Sequence, residues 1–391
     1  MKRMLLASSL MLATAFPAFA QTEINFWHAF TGRLGELVAE QVETFNKSQN
    51  DYTIVASHKG NYSETLNAGI AAFRAGEQPH ILMVFDVGTA TMMGAKGAIK
   101  PVHLVMQEAG GEFDQDKFIG SVKGYYTSTD GNMLSLPYNS STPVLWVNRD
   151  KFKEAGLDPD MDLSTWENVD GALDQLKNAG VGCAMTTAWQ SWIHLENYSA
   201  YHDVPFATKA NGFGGTDTEL VFNSPAQVAH IKAMGEWAKE GKFFYAGRRN
   251  EGGANFRAGE CALFTESSAG YAGIKTEAQF DFDVRPLPYW KAVAAEPQNT
   301  IIGGASLWVM ERHESEAYKG VAKFLSFLSS PALQAKWHQD TGYLPITAEA
   351  GDLTRKQGFY DKNPGTDIAV KQMTANEPTC LLYTSPSPRD S

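Results

Sequence analysis

Between residues 23 and 85 the hydrophobic period switches repeatedly between that of a strand and that of a helix, and no other feature restricts the fold as much. Residues 23–28 (EINFWH) read as a strand. Residues 34–45 place Leu34, Leu37, Val38, Val42 and Phe45 at helical spacing behind Thr31 and Gly32. A second strand at 52–56 is followed by a helix at 62–73, with Leu66, Ile70 and Phe73 on one face. Residues 80–85 are almost wholly apolar, as a strand in a sheet covered on both faces must be. Strand, helix, strand, helix, strand is the signature of a parallel α/β layer, so the fold class expected is α/β.

The alternation resumes further on. Helices are expected at 166–178 with Ser164 as cap, at 225–239 with Pro225 in the first turn, and at 317–328. Strands are expected at 183–187, 262–264 and 305–310, the last preceded by Ile301, Ile302, Gly303 and Gly304. A chain of 391 residues exceeds one ordinary core, which predicts two lobes. The segment that links them is residues 136–159, LPYNSSTPVLWVNRDKFKEAGLDP. Pro137 and Pro143 bracket Asn139, Ser140, Ser141 and Thr142 and forbid a helix there, leaving an extended polar turn. Val144, Leu145, Trp146 and Val147 then suit a buried strand, and a helix follows until Gly156 stops it. Hydroxyl and amide groups just before a buried strand either face a polar ligand or form an ordinary turn.

A formal net charge of −11 disfavours nucleic acid and anionic membrane as partners. Three cysteines do not make a disulfide scaffold. Cys183 and Cys261 each begin a strand, and their spacing leaves open a bond or two buried thiols. Residues 1–20 combine Lys2 and Arg3, an apolar run and Ala18-Phe19-Ala20, the pattern of a signal peptide cleaved after Ala20. With no cysteine after that site and no later membrane-spanning run, an exported soluble protein of a Gram-negative periplasm is expected. Residues 380–391 share no pattern with the rest, and CLLYTSPSPRD reads as a translated sequencing adapter. That tail is expected to be foreign and the natural chain to be cut short. G-x-S-x-G, P-loop, H-E-x-x-H and CxxC signatures are all absent. His313-Glu314 lacks its second histidine, and Gly212-Phe213-Gly214-Gly215 reads as a loop. No cofactor or metal is implied.

The segments FWHAF, KGNYSETLNAGIAAFRAG, VGTATMM, PYNSSTPVLW, WQSWIHLEN, IIGGASLWVM and TGYLPIT together resemble the extracellular solute-binding proteins of ABC importers. The closest likeness is to the branch that captures sn-glycerol 3-phosphate, and it covers residues 21–378. The resemblance implies a two-lobed type II periplasmic-binding-protein fold with the ligand cleft between the lobes. One lobe would comprise 21–141 and 303–345, the other 142–302 and 346–379. It implies capture of glycerol 3-phosphate, and of glycerophosphodiesters, for delivery to ABC permease subunits. It implies ligand contacts from Tyr62, Asp86, Ser141, Trp189, Trp192, Ser267, Gly304 and Tyr343. Trp189 and Trp192, three apart after a strand, would share one face of a helix start. The family has glutamate where this chain has Asp86. It also uses a C-terminal arginine against phosphate, which no residue here matches: Arg355 lies in a different stretch and Arg389 in the adapter-like tail. A sugar-binding relative would use the same aromatics with Asp86. A phosphodiester or glycoside hydrolase would need a second carboxylate opposite Asp86, for which Glu266 is the nearby candidate.

Overall fold

The computed structural model describes residues 21–376 except 111–112, 129 and 212–216. The leader with its cleavage site, the glycine run at 212–215 and the tail at 380–391 therefore lie outside the described residues. The strands are β1 (Thr22–His28), β2 (Tyr52–His58), β3 (Ile81–Phe85), β4 (Ile99–Lys100), β5 (Leu136–Ser141) and β6 (Pro143–Asn148). Then come β7 (Cys183–Thr187), β8 (Phe243–Phe244), β9 (Cys261–Ser267), β10 (Phe282–Arg285) and β11 (Gly303–Met310).

They form two sheets. The first runs β2-β1-β3-β11-β4, with β5 also paired to β11. β1 is parallel to β2 and β3, as the alternating pattern requires, and β11 is antiparallel to its neighbours. Ile81, Leu82, Met83 and Val84 of β3 are all fully buried, because helices cover both faces. On one side the helix Gly32–Ser48 buries Leu37, Val38, Val42 and Phe45. The helix Tyr62–Ala75 is fixed at its start by a reciprocal Asn61/Glu64 capping box and at its end by left-handed Gly76. The second sheet runs β10-β6-β9-β7-β8, with β7 parallel to β8 and β9. Among the described residues, no helix is long and apolar enough to cross a membrane.

The chain passes from the first sheet to the second at Thr142, between β5 and β6, and returns between β10 and β11. The two crossing segments are joined to each other. The Thr142 hydroxyl bonds to the Ile301 carbonyl and to the Thr300 hydroxyl, and the Thr142 carbonyl accepts from the Ser268 N–H. Residues 139–141 are thus strand, where a polar turn was expected. β11 supplies the backbone partners that a turn would have lacked, pairing Gly303, Gly304 and Ala305 with Ser141, Ser140 and Asn139.

Three local readings are corrected. The cap of the helix Trp166–Asn178 is Thr165, whose hydroxyl accepts from the Asn168 N–H, while the Ser164 side chain turns back to the Asp162 carboxylate. The helix after β6 is only Arg149–Glu154, started by the Asn148 side chain. Trp189 and Trp192 do not share a helix face: Trp189 is left-handed with φ of 48° and Trp192 opens a π-helix, Trp192–Asn197. The question left open at Cys183 and Cys261 is resolved as a disulfide, between residues directly opposite each other on β7 and β9.

Three of the scattered histidines meet in the second half. Trp290 donates its indole N–H to His230 Nδ1, so His230 Nε2–H donates to His194 Nδ1, and His194 Nε2–H is left for the Thr187 and Thr265 hydroxyls. His202 Nδ1–H donates to the Tyr198 carbonyl while Nε2 accepts from the Trp290 N–H. Each of the three rings has one nitrogen that accepts a hydrogen bond, which only neutral imidazole allows. Burial holds His194 down at about 3 and His202 at about 4, and burial with the neighbouring histidines puts His230 well below its ordinary value. The native state refuses protons that the unfolded chain accepts below pH 6.5, so stability falls as pH drops through the window from 6.5 to about 4. Each such histidine should remove about 1.4 kcal/mol per pH unit in that window. Urea titrations at pH 7 and pH 5 are expected to give a clearly lower midpoint at pH 5; equal midpoints would refute the neutral network.

Candidate functional site

The carboxyl ends of β3, β5 and β9 converge on the start of β11, and the eight residues singled out in the sequence gather there. β3 ends at Phe85, and Asp86 opens a tight turn at 9% exposure, its carbonyl accepting from the Tyr125 hydroxyl at 2.9 Å. The Asp86 charge acts on the phenols of Tyr62 and Tyr126. Tyr62 starts its helix and lies flat against Phe85, centroids 5.3 Å apart. Its hydroxyl accepts from Asn139 Nδ2 at 3.4 Å and is hydrogen-bonded to Tyr343. Burial pushes Tyr62 up to about 12 and Tyr343 well above its ordinary value, so both are neutral hydroxyls.

Gly304 is required by geometry. Its φ is +122°, and a Cβ there would stand 2.0 Å from the Asn139 carbonyl oxygen on the paired strand. Ser141 sits opposite Gly303, and a side chain at Gly303 would strike the Trp192 ring at 2.5 Å. Trp192 therefore presses on β11 just where the strand begins. Its indole N–H donates to the Ile302 carbonyl at 3.1 Å, which leaves only the ring face for other contacts.

From the second sheet, Ser267 ends β9 opposite Pro143, and its hydroxyl accepts from the Ala269 N–H at 3.1 Å. Glu266 precedes it at 2% exposure. One carboxyl oxygen, Oε1, accepts from the Ser267 N–H, and the Trp189 indole lies within hydrogen-bonding range of the group. The strained backbone of Trp189 aims the ring there. Burial raises the Glu266 carboxyl to about 8, against the opposing pull of the Ser267 N–H, Arg257 and Trp189. Tyr343, held against the first sheet, senses the Glu266 charge, so the two halves of the site face one another.

Five buried polar atoms around this junction lack a hydrogen-bond partner in the protein: Tyr126 Oη, Asn139 Oδ1, Ser140 Oγ, Glu266 Oε2 and Ser268 Oγ. An unsatisfied buried group costs about 1–3 kcal/mol, so these are the atoms that a polar ligand or a bound water at the junction would satisfy. Asn139 and Ser140 were visible as polar residues between two prolines, and Ser268 as the continuation of a strand-end run. Nothing in the sequence around Tyr125 and Tyr126 marks the latter. Among the described residues, no group of three or more histidine, cysteine, aspartate or glutamate side chains is arranged to hold a metal ion.

The family model for bacterial extracellular solute-binding proteins matches residues 40–366. The chain belongs to this family. It is 52% identical over 375 residues to the sn-glycerol-3-phosphate-binding periplasmic protein UgpB of Escherichia coli, covering 95% of this chain and 85% of that one. It is 51% identical over 374 residues to the protein of the same name in Salmonella typhimurium. Among solved structures it resembles UgpB of Mycobacterium tuberculosis in complex with glycerophosphocholine, with TM-score 0.77 and 22% identity over 91% of this chain and 87% of that one. A maltose-bound Thermotoga maritima MalE3 superposes with TM-score 0.74 at 16% identity, over 93% of this chain and 90% of that one. These solute-binding proteins share the two-lobed type II fold expected from the sequence. In this family member the junction described above lies between the two sheets.

Gly304→Ala should be poorly tolerated, since the methyl group meets backbone that cannot move away cheaply. A loss of about 3 kcal/mol is expected from overpacking and strain together. Thermal unfolding of the variant checks it, and an unchanged melting temperature would contradict the observed crossing.

Proposed function

We propose that this protein captures sn-glycerol 3-phosphate in the periplasm, accepts glycerophosphodiesters as well, and hands the ligand to the membrane subunits of an ABC importer. The observation that carries the reading is 52% identity across 95% of the chain to a sn-glycerol-3-phosphate-binding periplasmic protein. The chemistry of the junction supports it. Neutral hydroxyls from Tyr62, Tyr343, Ser141 and Ser267 donate to a phosphate without themselves ionising. The absence of a side chain at Gly304 brings main chain close to the same point. Asp86 accepts the two hydroxyls at the far end of the glycerol unit, and the rings of Trp189 and Trp192 cover its C–H edge.

Two lobes hinged at Thr142 and Thr300 to Ile301 explain how capture becomes a signal. The ligand touches both sheets only when they are together, so it favours the closed state by the free energy of those added contacts. We read the protein as a binder without turnover: the ligand is delivered unchanged.

Calorimetry should detect binding of glycerol 3-phosphate and glycerophosphocholine and no binding of maltose. The first ligand should also raise the melting temperature by mass action. Tight maltose binding without phosphate-ester binding would overturn the ligand assignment. Free choline appearing from glycerophosphocholine in proportion to protein would overturn the reading as a pure binder.

Asp86→Asn should weaken glycerol 3-phosphate by roughly 1–3 kcal/mol, because an acceptor of two hydroxyls becomes half donor. Inorganic phosphate, which has no diol, should bind both forms alike. Equal weakening of both would remove Asp86 from the diol.

A further inference from the structure

Glu266 is a buried carboxyl that the ligand contacts named above do not use. It stands at the carboxyl end of β9 between Thr265, which faces the histidine network, and Ser267. The following turn passes close to it at Gly270, where a Cβ would meet Glu266 Cγ at 2.9 Å, so a glycine there leaves the space that the buried carboxyl side chain occupies. Oε1 is taken by the Ser267 N–H, while Oε2 is buried without a hydrogen-bond partner, as is the Ser268 hydroxyl two residues on. The charged and titratable groups that face it are Arg257, from the helix Gly252–Arg257, and Tyr343, from across the junction. Arg257 is committed to Glu277 at 2.7 Å and does not reach the carboxyl in a salt bridge. The Ser267 N–H, Arg257 and the Trp189 indole offset the effect of burial only in part, and an incoming phosphate dianion would raise the cost of an ionised Glu266 further.

We infer that Glu266 stays protonated at neutral pH and donates a hydrogen bond from Oε2 to the anionic end of the ligand. The residue thereby selects for a phosphate ester over a neutral polyol. A carboxylate in the same place would accept from a sugar hydroxyl and repel phosphate; the neutral acid does the reverse. The burial that lifts the group to about 8 supports the protonated form and predicts where the property is lost. Because the competent form is the protonated one, affinity is retained below that pH and falls as pH rises through it. The donor role rests on the phosphate-ester reading of the junction given above.

The test is a calorimetric series with glycerol 3-phosphate at pH 7.5, 8.5 and 9.5. Phosphate monoesters lose their second proton near pH 6, so the ligand is dianionic throughout. The buried histidines and Tyr62 titrate outside the window. The wild-type Kd should rise roughly twentyfold from pH 7.5 to 9.5. In Glu266→Gln, whose amide is a permanent donor, that ratio should collapse to near one. Glu266→Leu, which has no donor, should bind at least about tenfold more weakly at pH 7.5. A merely structural Glu266 would lower the melting temperature in both variants without abolishing the pH slope, and that result would overturn the donor role. A wild-type Kd that is flat or tightens with pH would overturn it too. Failure to bind glycerol 3-phosphate at any pH would instead strike the ligand reading. The protonation claim has its own measurement on unliganded protein. A neutral carboxylic acid carbonyl stretch should be present in the infrared difference spectrum between wild type and Glu266→Gln at pH 7.5, and its absence would overturn the claim directly.

Discussion

The hydrogen bonds made by Thr142 hold the rest of the molecule in register. This residue separates β5 of one sheet from β6, an interior strand of the other, and it is fully buried. Its hydroxyl reaches the returning chain at Thr300 and Ile301, and its carbonyl reaches Ser268 at the start of the turn beyond β9. Three segments far apart in sequence are thereby brought to one point. Each of them continues directly into site residues: Ser141 on one side, Gly303 and Gly304 on another, Ser267 and Ser268 on the third. Under the proposed closure, a hinge here would bend by small changes in a few backbone angles while these cross-bonds persist.

Burial then decides the electrostatics. The interior holds imidazoles, phenols and one carboxyl in their uncharged forms, and the causes are the same in each case: little water and few compensating charges. Ion pairs lie at the rim and on outer faces, as with Arg149 and its cluster of Asp160, Asp281 and Asp283. An acidic protein can therefore present an anionic ligand with a junction lined by neutral donors. Net charge over the whole surface says little about the potential at that point.

Much of this was legible in the sequence. β3 was readable because every residue needed to be apolar, and Gly32–Ser48 because its buried face repeats at helical spacing. β5 was not, because its polar side chains between Pro137 and Pro143 follow the local rules of a turn, and only pairing with a strand some 160 residues away makes it a strand. Trp189 escaped for a related reason: tertiary contacts with Glu266 and the Arg249 carbonyl hold it in a left-handed conformation that no local signal announces. The eight site residues came from the family likeness, and the structure places them together. Asn139, Ser140 and Ser268 were legible as polar residues at strand ends, whereas Tyr126 emerged only from its buried, unsatisfied hydroxyl.

The bond between Cys183 and Cys261 pins β7 to β9, the two strands whose ends carry Trp189 and Ser267. Cytosolic thiols are kept reduced, so this link forms only where oxidants are available. A chain still in a reducing compartment lacks this link, and β7 and β9 are then joined by backbone pairing alone. The covalent tie between the strands that lead to Trp189 and Ser267 is thus acquired only in an oxidising compartment, which couples the final rigidity of this half of the junction to arrival in the periplasm.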